Sequence, residues 1–229
     1  MAVTLLCLAH AGGSAAAFRT WSARLPGIEV RAVDLPGRAS RLTRPPFDRL
    51  EPLVRWLARE ELERVEGPVA LFGHSMGALV AFALAGLLRD RVQRPPVHLL
   101  VAGCPAPQVI RTRDPLHALP RAELLERLRA LNGTPSEVFG QAELLDLLLP
   151  AIRADLAVYE TFTYRPATPF GCPVTAFGGL DDPDVSRADL EAWRVQTTGP
   201  FRLVLLPGGH FFLRDSEAAV LTAVVQALR

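Results

Sequence analysis

The 229-residue sequence contains no lysine; all 25 basic residues are arginine. Against 24 acidic residues they leave a formal net charge of +1, so no surplus of either sign marks a nucleic-acid or membrane-surface role. Long hydrophobic runs are missing as well. No uninterrupted apolar stretch reaches the roughly 20 residues that span a bilayer. Cysteine is scarce: Cys7, Cys104 and Cys172 are odd in number, widely spaced and without a C-x-x-C pair, which excludes a disulfide framework and a zinc site. Each stands in or beside an apolar, strand-like run and reads as a buried, inert thiol. The apolar residues 3–9 lack a preceding charged segment and are short for a secretion signal. A first β-strand explains them better, and the cytoplasm is the expected compartment. The hydrophobic content of 49% excludes disorder and fits one globular domain over residues 1–229.

Short β-rich runs alternate with helical patterns. Residues 3–8, 28–33, 69–72, 97–102, 173–177 and 201–206 read as strands, several of them apolar throughout, as in parallel strands buried on both faces. Leu50, Leu53, Val54, Leu57, Leu62 and Val65 form a helical stripe, with Asp48 as expected N-cap and Glu51 completing a capping box. A second stripe runs through Val220, Leu221, Val224, Val225 and Leu228. This alternation predicts an α/β protein with a doubly wound, mostly parallel sheet. Residues 105–170 break it. They hold two leucine-rich helical segments, 122–131 and 142–162, separated by an Asn-Gly-Thr-Pro turn at 132–135. A helical insertion between the fourth and fifth strands reads as a cap over the sheet's carboxyl edge, where such folds bind ligands. Leu144, Leu145, Leu147, Leu148 and Leu149 leave little of one helix turn polar, which reads either as buried core or as one side lining an apolar acyl chamber above Ser75.

Gly73, His74, Ser75, Met76 and Gly77 fit G-x-S-x-G between an apolar run and a helical one. That is the strand–turn–helix setting of a nucleophile elbow, whose glycines let the chain turn sharply enough to expose a serine at a helix N-terminus. Serine is a weak nucleophile without a base. Of five histidines, His210 follows the last strand and therefore shares the carboxyl edge with Ser75. His98 reads as a satisfied strand residue, His117 as solvated, and His74 as pointing away from its neighbour. For the carboxylate, the segment after residue 177 offers Asp181, Asp182 and Asp184. The hydrolase-like pattern G-x-x-D-P-x-V favours Asp182, with Asp181 next and Asp184 a solvated turn residue. The order serine, aspartate, histidine is that of α/β-hydrolases. The amide of Met76 supplies one oxyanion donor, and the loop His10-Ala11-Gly12-Gly13-Ser14 is placed to supply another.

The segments LAHAGGSAAAF, DLPGRASRL, LFGHSMGALVAF, LHALP, LLPAIRADLAVYETF, FGGLDDPDV and LPGGHFFL together resemble the type II thioesterases, from residue 5 to 213. These are free-standing α/β-hydrolases that accompany polyketide and nonribosomal peptide synthases. The resemblance implies hydrolysis of acyl thioesters from the phosphopantetheine arm of acyl and peptidyl carrier proteins. It places the nucleophile on Ser75, the acid on Asp182, the base on His210 and the oxyanion amides on Met76 and Ala11. No cofactor or metal is implied, and no nucleotide-binding glycine motif or ligand cluster stands in the sequence. A small-molecule esterase or acyltransferase would share the same residues. A non-catalytic partner-binding module on this fold would not need them all.

Overall fold

The computed structural model describes residues 2–63, 65–110, 115–131, 133 and 139–229. Six strands, β1 (Val3–Leu8), β2 (Ile28–Ala32), β3 (Val69–His74), β4 (His98–Ala102), β5 (Val174–Gly179) and β6 (Phe201–Leu206), form one sheet. Their order is β2-β1-β3-β4-β5-β6, and every pairing is parallel. The helices are α1 (Trp21–Arg24), α2 (Leu50–Leu57), α3 (Met76–Leu87), α4 (Arg121–Leu131), α5 (Ala142–Glu160), α6 (Arg187–Glu191), α7 (Phe212–Asp215) and α8 (Glu217–Leu228).

Burial explains the hydrophobic pattern. β3, β4 and β5 are buried at every position because helices cover both faces, whereas the edge strands β2 and β6 are only partly covered. Successive side chains point to opposite faces. Leu6, Leu8, Leu71, Leu99 and Val101 pack with α2 and α3 on one face. Leu5, Cys7, Ala70, Phe72 and Leu100 pack with Trp21 and α8 on the other. The winding reverses between β1 and β3, and a crevice opens outside the carboxyl ends of strands at such a point.

Helices α4 and α5 lie between β4 and β5 in the chain, as expected, and carry a small core of their own: Leu124, Leu125, Leu128, Leu145, Leu149, Ile152 and Leu156. The expected turn at 132–135, Gly133 apart, lies outside the described residues. Two local expectations need correction. Asp48 does not cap α2. Arg49 is the N-cap residue and makes no side-chain cap bond. Pro52 has no amide to donate to the Asp48 carbonyl, so the first helical bond runs from the Leu53 amide to the Arg49 carbonyl at 3.4 Å. Cys172 is half-buried rather than buried, although burial still raises its thiol pKa. Cys7 and Cys104 are buried, and burial pushes the Cys104 thiol up to about 12.

Candidate active site

Ser75 sits at the end of β3 with φ +55° and ψ −121°, a backbone conformation that non-glycine residues rarely adopt. The turn closes because its flanking glycines have no side chain. A Cβ on Gly73 would lie 2.1 Å from the Gly77 carbonyl oxygen, and one on Gly77 would lie 2.3 Å from that of Leu8. The Ser75 amide donates to the Ala102 carbonyl at 2.8 Å, tying the turn to β4. α3 starts at the next residue, so the Met76 amide heads a helix and has no intrahelical acceptor. Among the described residues, neither that amide nor the Ala11 amide donates to another backbone group.

His210 follows β6, and its Nε2 lies 3.0 Å from Ser75 Oγ. Its Nδ1 lies 2.9 Å from Asp182 Oδ2. The Asp182 carboxylate is fully buried, and its Oδ1 accepts the amides of Asp184 at 2.9 Å and Val185 at 3.2 Å. Burial pushes its pKa up, but the hydrogen bond and charge of His210, together with those two amides, outweigh burial and hold it below the usual carboxylate range. Three loops at one edge of the sheet therefore bring Ser75, His210 and Asp182 into a hydrogen-bonded line. Asp181 and Asp184 are exposed outside it.

The other histidines divide. His98 is buried in β4 and meets Thr175 Oγ1 at 2.9 Å, a satisfied strand position. His74 turns away from Ser75 and donates from Nε2 to the His210 carbonyl at 2.9 Å, supporting the loop that carries the ring. Burial, then the neighbouring His10 and His210, lower its pKa well below the ordinary value. His117 is not solvated. Its Nδ1 lies 2.6 Å from Glu160 Oε2, and the same carboxylate takes the amides of Leu116 and His117. A buried carboxylate at the end of α5 needed partners, and these are near in space while 43 residues away in sequence.

Sequence reasoning missed three residues beside the site. His10 stacks edge-on against His74 and Phe211, and burial and then the Arg214 charge lower its pKa to about 4. Arg38 and Asp155 form a buried ion pair reaching the loop after β1. The available signal was Asp155 itself, a charge between Ala154 and Leu156 on a face of α5 that is otherwise apolar.

A cavity of about 420 Å³ is walled by His10, Gly12, Gly13, Leu148, Ile152 and Phe211, among others. His74 is in its wall and Ser75 is not, so it adjoins the serine instead of enclosing it. Of the five expected leucines only Leu148 reaches this wall; Leu145 and Leu149 are buried and Leu147 is 49% exposed. Among the described residues one cluster, Asp182, Asp184 and His210, gathers ligand-type atoms within 4.8 Å. His210 Nδ1 and Asp182 Oδ2 are already spent on each other. No described helix is long and apolar enough to cross a membrane.

A family model described as the Thioesterase domain matches residues 3–228. The chain is 42% identical over 226 residues to the Gramicidin S biosynthesis protein GrsT of Aneurinibacillus migulanus, covering 98% of this chain and 88% of that protein. The solved structure of the type II thioesterase BorB, from the borrelidin biosynthetic cluster, superposes with a TM-score of 0.92 at 42% identity, over 100% of this chain and 94% of that one. RedJ, a thioesterase from the prodiginine pathway of Streptomyces coelicolor, does so at 0.92 and 40%, over 99% and 90%.

Proposed function

This chain belongs to the type II thioesterases, and from that premise we propose that it releases aberrant or stalled acyl groups from the phosphopantetheine arm of acyl or peptidyl carrier proteins. One observation carries the mechanism: the continuous line from Asp182 Oδ2 through His210 to Ser75 Oγ. With the Nδ1 proton donated to Asp182, the lone pair of Nε2 faces the serine hydroxyl. Ser75 Oγ attacks the thioester carbonyl carbon as His210 Nε2 takes its proton. The tetrahedral oxyanion accepts from the amides of Met76 and Ala11. Collapse breaks the carbon–sulfur bond, and the pantetheine sulfur leaves with the proton held by His210. Water, deprotonated in turn by His210, attacks the Ser75 ester, releases the free acid and restores the hydroxyl. Every proton is returned, so the reaction calls for no cofactor or metal.

Residues 105–170 are read as a cap on a single hydrolase domain spanning 1–229, with the cytoplasm as its compartment. The cavity between α5 and the loop after β1 supports a role for that cap in holding the acyl group. The test is mass spectrometry of acylated carrier proteins incubated with wild-type protein and with Ser75→Ala. Wild type should return the free phosphopantetheine thiol, and the variant should leave the acyl group in place. Undiminished release by Ser75→Ala, or a wild type that spares carrier thioesters while cleaving simple oxygen esters, refutes the proposal.

A further inference from the structure

We propose that Arg38 and Asp155 are positioning residues that hold the Ala11 amide in its oxyanion-binding orientation and couple that orientation to helix α5. The inference rests on the reading of Ala11 as an oxyanion donor and extends it to residues without a stated role.

The loop after β1 makes a tight turn in which the Gly13 amide donates to the His10 carbonyl at 2.9 Å. A trans peptide points its carbonyl and its amide in opposite directions. With the His10 carbonyl turned inward to Gly13, the Ala11 amide of the same peptide points outward. The orientation survives only while the turn keeps its form. Gly12 has φ +75°, the value a type II turn requires at its third residue, and the peptide between Ala11 and Gly12 is the one that flips between turn types.

That peptide is held from outside the loop. The Gly12 amide donates to Asp155 Oδ2 at 2.7 Å. The Gly13 carbonyl accepts from Arg38 Nη1 at 3.0 Å. Arg38 in turn grips Asp155 with both terminal nitrogens, at 2.5 and 2.6 Å. One carboxylate and one guanidinium thus fix a donor and an acceptor on consecutive residues of the turn. Ile152, one helical turn before Asp155, packs so tightly that a Cβ on Gly12 would come within 3.0 Å of it. Both charged residues are buried, with 4% of Arg38 and 2% of Asp155 exposed.

Stability alone does not account for the pair, because a buried ion pair is on average no better than apolar residues of the same volume. Apolar replacements would, however, leave the Gly12 amide and Gly13 carbonyl unmatched. Nor is the guanidinium fully satisfied: its Nε is buried with no partner among the described residues. A group kept at that cost is explained by the backbone it holds. Because Asp155 belongs to α5, any outward shift of this helix would withdraw the acceptor from Gly12, so displacement of the insertion and loss of the oxyanion donor are one event.

The experiment compares full-length wild type, Asp155→Asn and Arg38→Lys by single-turnover acylation from an acyl carrier protein. A second arm measures binding of a trifluoromethyl ketone thioether, which forms a tetrahedral oxyanion on the serine. Asparagine keeps the shape of Asp155 but not its charge, and lysine keeps the charge of Arg38 but not the fork. Asp155→Asn should slow acylation about 10- to 100-fold, weaken the ketone in proportion and leave KM within about three-fold. Arg38→Lys should show the same pattern more mildly. A merely structural role would lower the folded fraction, leaving the rate per active site and the ketone affinity of the folded fraction intact. That result overturns the proposal, as does a rise in KM at constant acylation rate. Should Asp155→Asn fail to fold, Arg38→Lys decides by the same two readouts. A wild type that forms no ester on Ser75 sinks the parent reading and this one together, whereas variants matching an active wild type sink only the positioning role.

Discussion

The sheet body and the helical insertion of α4 and α5 are built on different principles. In the body the polar line of Ser75, His210 and Asp182 stands on strand ends, over two cores that fill both faces of the sheet. Its turn is set by backbone contacts so close that Gly73 and Gly77 admit no Cβ. In the insertion a small leucine cluster holds the two helices together. Its fastening to the body relies on buried charges, Asp155 against Arg38 and the loop after β1, beside the packing of Ile152 on Gly12 and Val158 in the main core. Packing that close-fits backbone to backbone allows one arrangement. Charged contacts across an edge depend on partners that separate as a unit. The contrast places the chemistry on backbone packed against backbone, and leaves the hold of the insertion on the loop after β1 to side chains.

The largest expected effect tests whether the body alone carries the chemistry. Asp182→Asn should lower kcat about 10⁴-fold, because the imidazole loses its orienting acceptor, while the exposed Asp181→Asn should stay near wild type. Steady-state assays on one acyl-carrier substrate check the ranking, and the reverse order would move the acid to Asp181. The next effect compares the cores. Leu79→Ala, at a fully buried site under the sheet, should cost about 4 kcal/mol in urea unfolding, and Leu128→Ala in the insertion about 2 kcal/mol. Equal costs would show that the insertion is as tightly packed as the body.

A third comparison uses acid. Burial lowers the pKa of His98 from 6.5 to about 4. Between those values the unfolded chain binds the proton and the folded one does not. Its contribution to stability is therefore intact above about pH 6.5, declines as pH falls, and levels off below about 4. The slope is about 1.4 kcal/mol per pH unit for each such histidine. His10 and His74, lowered in the same direction, add to it. His98→Gln should flatten the melting temperature against pH in this window, and an unchanged slope would place the acid-sensitive element elsewhere. The smallest effect concerns the acyl group. An apolar wall distinguishes acetyl, propionyl and butyryl by about 1 kcal/mol per methylene, roughly five-fold in kcat/KM, with malonyl poorer because its carboxylate would be buried unpaired. A preference for malonyl would instead bring Arg19 or Arg214, both in the cavity wall, into contact with substrate.

Much of this was legible in the order of residues. Each of the six strands falls within two residues of its apolar run, because a strand covered on both faces must be apolar at consecutive positions. Ser75, Asp182 and His210 were legible for a related reason. Each follows a recognisable strand, and a parallel sheet sends every such loop to the same edge. The start of α2 is set by one absent amide, at Pro52, and not by the capping pattern of Asp48 and Glu51. Nothing within 40 residues of His117 announces Glu160, so the order of residues alone reads that histidine as solvated.

What the sequence by itself determined is therefore whatever is encoded at short range: strand and helix periodicity, the glycines of the elbow, and the succession of serine, aspartate and histidine on carboxyl-edge loops. What only the tertiary structure decided is pairing at long range. The Arg38–Asp155 contact joins residues 117 apart, and the His74 ring meets the His210 carbonyl across 136. Neither partner carries a local mark of the other, since a buried charge or ring is satisfied by any group the fold delivers to it, and only the packed chain specifies which group that is.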